Sequence, residues 1–507
     1  MLFLFIGIFS SITYWIGFKS NKETKKVYSN NWENIDFILD HLISNYVDSL
    51  ERKTLLQKSI LNILKDLDPH STFIPSSKRQ VVNESLIGHF GGIGIRFMIL
   101  RDTLTVVDVI DKGPSSKKGL MKRDKIIEIN EENVASTGIT NKDVLEKLKG
   151  KVGSEVSLKL YRPNKSYKNV IINRGLIPIK SIAASTKLDK NIGYIKVNSF
   201  SNTTDNEFKA ALVDLLDSGM TALILDLRFN GGGYLHQAIN IADEFLPEKK
   251  LIVYTEGAHV EKRSYYATKK GGFEKGKLVI LVNSGTASAS EIVSGAIQDH
   301  KRGIIIGRRT FGKGLVQQPV LLPDSSELRI TTSRYFTPSG KCIQKPYGDT
   351  IDYENDIFER LESGELTLKD SINDEIKNKG GIWPDIFSPI DTLNFNEIVS
   401  TITFSKQWRN FCFDFYEGNP KKPHKNIFTF YKKFKIQKGL LENYFEDNKL
   451  KKELLTKKVI SDLRWSMMLE ICNYYYDDQS RYILSALNDS DVKKAIEQIN
   501  ISMAPLQ

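Results

Sequence analysis

The chain is poor in cysteine. Its 507 residues hold three, Cys342, Cys412 and Cys472, odd in number and far apart. They form neither a disulfide framework nor a thiolate metal cluster. Histidine is nearly as sparse, with seven scattered residues and no HExxH pair. No metal site and no cofactor is therefore expected. Paired CxxC motifs and aromatic-basic strand signatures are absent too, so nucleic acid is not an expected partner. The net charge of +11 comes from 72 basic and 61 acidic residues, mostly lysines spread along the chain. It reads as a solvated surface rather than a binding stripe.

No basic residue precedes the apolar run MLFLFIGIFSSITYWIGF, and no small-x-small cleavage site follows it. Both absences argue against a removed secretory signal. Leu2–Phe18 is about long enough to span a bilayer as a helix, so residues 1–18 are predicted to be an uncleaved membrane anchor. Lys19, Lys22, Lys25 and Lys26 follow it. By the positive-inside rule alone they favour a cytoplasmic body.

What is present is ample material for a core. Forty per cent of residues are hydrophobic, and the length exceeds what a single core serves. The expected fold class is α/β (α+β) and multidomain. Residues 30–85 read as a helical region, with Ile35, Phe37, Ile38, Leu42 and Tyr46 at helical spacing. It ends at LDPHSTFIP, where Pro69 and Pro75 stop helices. Residues 86–165 read as a β-domain. Its predicted strands are Gly94–Ile99, Leu104–Val109, Lys125–Ile129 and Val156–Tyr161, with helices at Lys117–Leu120 and Asn141–Leu148. Gly91-Gly92-Ile93-Gly94 precedes the first strand and offers backbone N–H groups to an anion.

Residues 175–390 alternate strand and helix. IGYIKVNSF, ALILDLRF and KLVILVN are strands, and Asn206–Leu216 and Tyr234–Phe245 are helices. ALILDLRF is apolar throughout, as a strand buried on both faces must be. A mixed or parallel sheet flanked by helices follows. Residues 391–507 are long-helical and aromatic, with helices expected near Asp447–Leu463 and Asp491–Asn500, and carry no legible motif.

The stretch NSGTASASEIVSGAIQDH gathers hydroxyls at the start of a predicted helix, Glu291–Ile297. A serine there faces unpaired N–H groups that could stabilise an oxyanion. It still needs a base. His300 lies about three turns away along the same helix, and His236 and His259 have no suggestive surroundings. Lys313, between Gly312 and Gly314 and before an apolar strand, is the alternative base. On these grounds Ser284, Thr286, Ser288 and Ser290 remain equal candidates.

Two resemblances separate them. GGIGI, with GPSSKKGLMKRDKIIEINEENV, resembles a PDZ domain. That implies an extended peptide, usually a C-terminus, added as a strand, with Gly91, Gly92, Ile93, Gly94 and Ile95 in the peptide-binding loop. DLRFNGGG, NSGTASASE, FGKGLVQ, SRYFTPSGKCIQ, GGIWPD and LDPHSTFI are similar to the carboxyl-terminal processing peptidases. The resemblance implies a serine endopeptidase with Ser288 as nucleophile, Lys313 as base and Gln317 as its support. Positions 313 and 317 lie four apart and would share one face of a strand. It also implies oxyanion donors at Ala289 and Gly232, though relatives often have proline where Gly231 stands. Substrates would be proteins or peptides with unstructured C-termini. The body would lie outside the cytoplasm, in the periplasm or cell envelope, against the lysine count, and the chain could form homo-oligomers. The rival is a PDZ scaffold on an inactive protease core. An acyltransferase with an SxxK pair at Ser115 and Lys118 is a second rival, inside the PDZ match.

Overall fold

The computed structural model describes residues 31–162, 166–348, 353, 355–367, 379–390 and 396–501. The expected anchor at residues 1–18 lies outside these. Among the described residues no helix is long and apolar enough to cross a membrane. The chain divides into residues 1–67 and 68–507. The first unit holds α1 (Asn31–Asn45) and α2 (Arg52–Lys65). Arg52 ties them together, 3.0 Å from Asp36 and paired also with Asp40.

The second unit opens with β1 (Thr72–Ile74) and α3 (Ser76–Ile87). The β-domain follows as β2 (His89–Gly92), β3 (Ile95–Leu100), β4 (Thr103–Val109), α4 (Pro114–Lys117), β5 (Lys125–Ile129), β6 (Glu132–Asn133), α5 (Asn141–Leu148), β7 (Glu155–Tyr161), β8 (Tyr167–Asn173) and β9 (Gly175–Pro178). Its antiparallel sheet runs β3-β4-β5-β7-β8, and β2 pairs with β9. Pairing of β8 carries the sheet past the expected boundary at residue 165. The short helix predicted at Lys117–Leu120 lies earlier. Pro114 starts it with a preset φ, and Gly119 at φ 72 marks its end.

The α/β region comprises β10 (Ile182–Lys187), β11 (Ile192–Val197), α6 (Thr204–Asp217), β12 (Ala222–Asp226), α7 (Leu235–Asp243), β13 (Leu251–Gly257), β14 (Val260–Tyr266), β15 (Lys277–Val282), α8 (Ala289–Asp299), β16 (Ile304–Gly307), β17 (Leu315–Leu321), β18 (Glu327–Phe336), α9 (Asp356–Glu362) and β19 (Ile386–Phe387). The main sheet runs β10-β11-β12-β15-β16-β19, with only β10 antiparallel to its neighbour. A second sheet orders β1-β18-β13-β14, with β17 along β18.

Strand alternation sorts the main sheet into two buried faces. Ile195, Leu223, Leu225, Ile280 and Ile305 pack with residues of α6, α7 and α8. Tyr194, Ile224, Val279, Leu281 and Ile306 pack instead with residues of the C-terminal helices, among them Leu484, Val492 and Ile499. Those helices are α10 (Glu397–Thr403), α11 (Lys406–Gly418), α12 (Ile427–Lys433), α13 (Lys438–Asp447), α14 (Lys457–Tyr475), α15 (Asp478–Asn488) and α16 (Ser490–Ile501). The helix expected around Asp447–Leu463 begins only at Lys457, where its second half forms the first turns of α14. Lys449 turns left-handed at φ 56, and Thr456 caps a new helix by accepting from Val459 N–H at 3.3 Å.

The extension also grips the β-domain. Leu100 of β3 and Val107 of β4 belong to its apolar cluster. Arg96 donates to Asn473 O at 2.9 Å and pairs with Asp478, while Arg101 pairs with Asp414.

Candidate active site

Strand β15 ends in a tight turn that Asn283 organises. Its Oδ1 accepts the N–H of Phe229 at 2.9 Å and of Gly285 at 3.1 Å. Thr286 Oγ1 donates to Leu227 O at 2.9 Å. The chain thus reaches the start of α8 with Ser288 at φ 56, a left-handed conformation that an L-residue holds only when its surroundings impose it.

Glu291 imposes it. Its carboxylate is fully buried in the first turn of α8. Oε2 accepts Ser288 N–H at 2.7 Å and Lys313 N–H at 2.9 Å. Oε1 accepts Gly312 N–H at 2.7 Å and the Thr310 hydroxyl. Burial pushes this carboxyl up to about 7, and the four donors pull the other way. On the opposite side, Tyr335 Oη lies 3.0 Å from Ser288 O and also contacts Lys313 O.

Lys313 sits in the loop before β17 rather than on the strand, which begins at Leu315. The β17–β18 register also shifts between Val316 and Gln317. The shared-face expectation for 313 and 317 therefore fails. The contact itself forms, with Lys313 Nζ donating to Gln317 Oε1 at 3.1 Å. Gly314 makes room, since a Cβ there would lie 2.8 Å from Gln344 N. Burial lowers the Lys313 pKa, Asp68 and Glu291 oppose the shift, and Arg329 reinforces it.

Ser288, Ala289, Ile292, Lys313, Gln317 and Tyr335 all line one cavity of about 980 Å³. No hydrogen bond links Ser288 Oγ to Lys313 Nζ among the described residues. His236 lines the same cavity, although nothing around it in the sequence singled it out. His300 lies elsewhere, its Nε2 2.7 Å from Leu251 O.

Gly232 is pressed against the nucleophile turn, where a Cβ would lie 2.7 Å from Ser288 Cβ and 3.0 Å from Ala289 N. Its N–H, however, donates to Asn230 Oδ1 at 2.9 Å. The expected oxyanion donor is thus engaged within its own turn, because the Asn side chain closes the NGGG loop as an Asx turn. Ala289 opens α8, where first-turn N–H groups have no helical acceptor. Ser290 Oγ donates to Asn230 O at 3.0 Å, in the packing between α8 and the NGGG turn.

LDPHST reads in sequence as a helix stop and part of a resemblance. Asp68 Oδ1 accepts the N–H groups of His70 and Ser71, both at 2.8 Å, and Ser71 Oγ accepts Thr331 N–H at 3.1 Å. Thr331 stands opposite Gln317 across β17 and β18. The turn therefore braces the hairpin that carries Gln317. His70 is held at about 4, by burial and then by Lys313, so its imidazole is neutral at neutral pH. A buried aspartate turn gives no periodic signal, so only its contacts reveal it.

In the β-domain, Gly91 and Gly92 are strand residues paired with Leu176 and Gly175, not a free loop. A Cβ on Gly91 would lie 2.0 Å from Gly150 O, so close backbone approach accounts for that glycine. Ile93 is buried, and its carbonyl accepts the N–H and hydroxyl of Ser115 at 3.0 and 2.6 Å. Gly94 turns at φ 76 into Ile95 and β3. Of the expected anion loop, only Ile93–Ile95 lies outside the β2–β9 pairing. Ser115 is a buried structural hydroxyl, which removes the SxxK reading.

Residues 91–172 match the PDZ domain, and residues 191–354 match peptidase family S41. The carboxy-terminal-processing protease of Bartonella bacilliformis is 34% identical over 351 residues, covering 68% of this chain and 80% of that protein. The chain belongs to the carboxy-terminal processing proteases. CtpB of Bacillus subtilis is 33% identical over 345 residues, covering 67% of this chain and 71% of that one. A photosystem II D1 C-terminal processing protease structure aligns with a TM-score of 0.38 at 25% identity, covering 72% and 89% of the two chains. Like the family, this carboxy-terminal processing protease is a serine-type peptidase with a PDZ domain ahead of its α/β core.

Proposed function

We propose that the enzyme cleaves unstructured C-terminal tails of proteins with a Ser288–Lys313 dyad. One observation carries this reading. Ser288, at a helix N-terminus, shares its cavity with a half-buried lysine whose amine is held by Gln317. Neutral Lys313 takes the hydroxyl proton as Ser288 Oγ attacks the scissile carbonyl, and returns it to the leaving amine. Water then releases the acyl group by the same proton relay. Gln317 accepts from the amine and orients it. The Ala289 N–H stabilises the oxyanion. The peptide between Gly231 and Gly232 supplies a second donor once it turns away from Asn230 Oδ1. The tail adds as a strand to β3, its carboxylate against Ile93–Ile95.

Residues 1–18 anchor the chain in a membrane with the body outside the cytoplasm, and copies of the chain associate. A reporter fused after Gln507 tests the topology, since activity inside the cytoplasm would refute it. For the chemistry, Ser288→Ala should abolish cleavage of a tail peptide and labelling by a serine-reactive phosphonate. Labelling that survives in Ser288→Ala would assign the nucleophile elsewhere. A wild-type chain that neither cleaves nor labels would favour the peptide-binding scaffold.

A further inference from the structure

Phe229 and Ser288 both occupy left-handed backbone, at φ 57 and φ 56. The strain at Ser288 is fixed by Glu291. The strain at Phe229 cannot be fixed by its own side chain, which is 80% exposed. Phe229 nevertheless begins the turn that brings Gly232 against Ser288. One tether is its N–H bond to Asn283. The other is the residue before it.

Arg228 is gripped from three sides. It forks onto Asp226, with Nε 3.1 Å from Oδ1 and Nη2 2.7 Å from Oδ2. Its carbonyl accepts Lys196 Nζ. Its remaining nitrogen, Nη1, lies 2.9 Å from both oxygens of Asp489 and 2.9 Å from Asp491 Oδ2. Asp491 also takes Arg308 at 3.1 Å. Three carboxylates face three cations in a largely buried cluster. Asp489 and Asp491 come from the α15–α16 junction, far downstream of residues 191–354 that match the peptidase family.

We propose that Asp489 and Asp491 are positioning residues for catalysis. Through Arg228 they hold the Phe229–Gly232 turn against Ser288, which makes the C-terminal helices part of the catalytic unit. The inference rests on the reading of Ser288 as nucleophile. Neither aspartate touches substrate. Removing either one leaves a buried guanidinium short of a partner, and the cluster must then shift or admit water. The nearest segment free to respond is the strained turn.

The test uses the full chain with Asp489→Asn and Asp491→Asn made singly. Asn caps a helix about as well as Asp, so Asp489→Asn keeps the bond from Val492 N–H and removes only the charge. Readouts are kcat and KM on a tail peptide, affinity for a peptide boronate that forms a tetrahedral serine adduct, and the thermal midpoint. The expected result is a fall in kcat and in boronate affinity by the same factor, roughly ten-fold or more, with KM nearly unchanged. Asp489→Glu should recover most of the loss. If Asp491→Asn does not fold, Asp489→Asn decides, because its side chain is 28% exposed and the change is milder. A folded Asp489→Asn with unchanged kcat and boronate affinity overturns the proposal. So does a loss confined to KM or to the midpoint. Cleavage and boronate binding by the wild-type chain show separately that the nucleophile reading stands.

Discussion

Ser288 and Lys313 share an anchor: their backbone N–H groups donate to the same oxygen, Oε2 of Glu291, at 2.7 and 2.9 Å. The two halves of the proposed dyad come from loops 25 positions apart in sequence. One buried carboxylate sets the distance between them.

Glu291→Gln should therefore damage catalysis far from any substrate contact. An amide offers NH₂ where two donors converge, so either Oε1 or Oε2 partners must part. Misplacement of the dyad by about 1 Å costs roughly 10²-fold, which is the fall expected in kcat/KM on a tail peptide. An unchanged rate would show that the anchor is dispensable.

The pH profile should carry two ionisations on its acid side. Burial lowers the Lys313 pKa below its ordinary 10.5, so the neutral base accumulates as pH rises and activity rises with it. Glu291, pushed up to about 7, gains a proton as pH falls and loses acceptor capacity for its donors. Both effects act in one direction. Log kcat/KM against pH should steepen below about 7. A single slope throughout would remove Glu291 from the scheme.

Asp68→Asn separates the lysine from the carboxylate. Asp68 raises Lys313, so its removal lowers the lysine further and moves that limb to lower pH. The amide oxygen still accepts from His70 and Ser71, which preserves the turn. A limb that moves upward, or stays, would contradict the assignment. Lys313→Arg should be inactive at every usable pH, because guanidinium does not release its proton.

Gly232→Ala should yield a folded, inactive enzyme. Its φ of 99 disfavours any Cβ, and that carbon would meet Ser288 Cβ at 2.7 Å and Ala287 O at 2.9 Å. Gly231→Ala is the control. Nothing lies within 4 Å of a Cβ there, so activity should persist. Steady-state rates and circular dichroism on the pair decide it.

Ser290→Ala tests packing instead of chemistry. Its hydroxyl donates to Asn230 O in a fully buried setting. Asn230 O keeps the Ala287 N–H at 3.0 Å, so losing the hydroxyl costs about one hydrogen bond, roughly 0.5–1.5 kcal/mol. Chemical denaturation should show this loss while cleavage of a tail peptide continues. A stable but inactive variant would transfer suspicion from Ser288 to Ser290.

Much of this enzyme was legible in its sequence, for identifiable reasons. Apolar strands such as ALILD announce themselves by composition, and five residues of that strand are buried as expected. Asn141–Leu148 is a helix with the bounds expected, and the structure shows that a Thr140–Asp143 capping box fixes its start. Roles were harder to read than elements. Glu291 is in sequence only the first residue of a predicted helix, and the three-dimensional convergence of Gly312 and Lys313 on it shows its part. Asn230 Oδ1 capturing Gly232 N–H is likewise a side-chain event with no periodicity. The helix expected from Asp447 starts only at Lys457 because the chain first turns left-handed at Lys449, a conformation sequence rarely signals outside glycine and asparagine.

A continuous apolar strand needs cover on both sides, and α6, α7 and α8 supply only one. The other side waits for α15 and α16, far downstream. This fixes an order of events during synthesis. The parallel strands emerge from the ribosome with one greasy side bare, and it stays bare until Val492 and Ile499 arrive. Such long-range closure is slow and invites aggregation or chaperone capture in the interval.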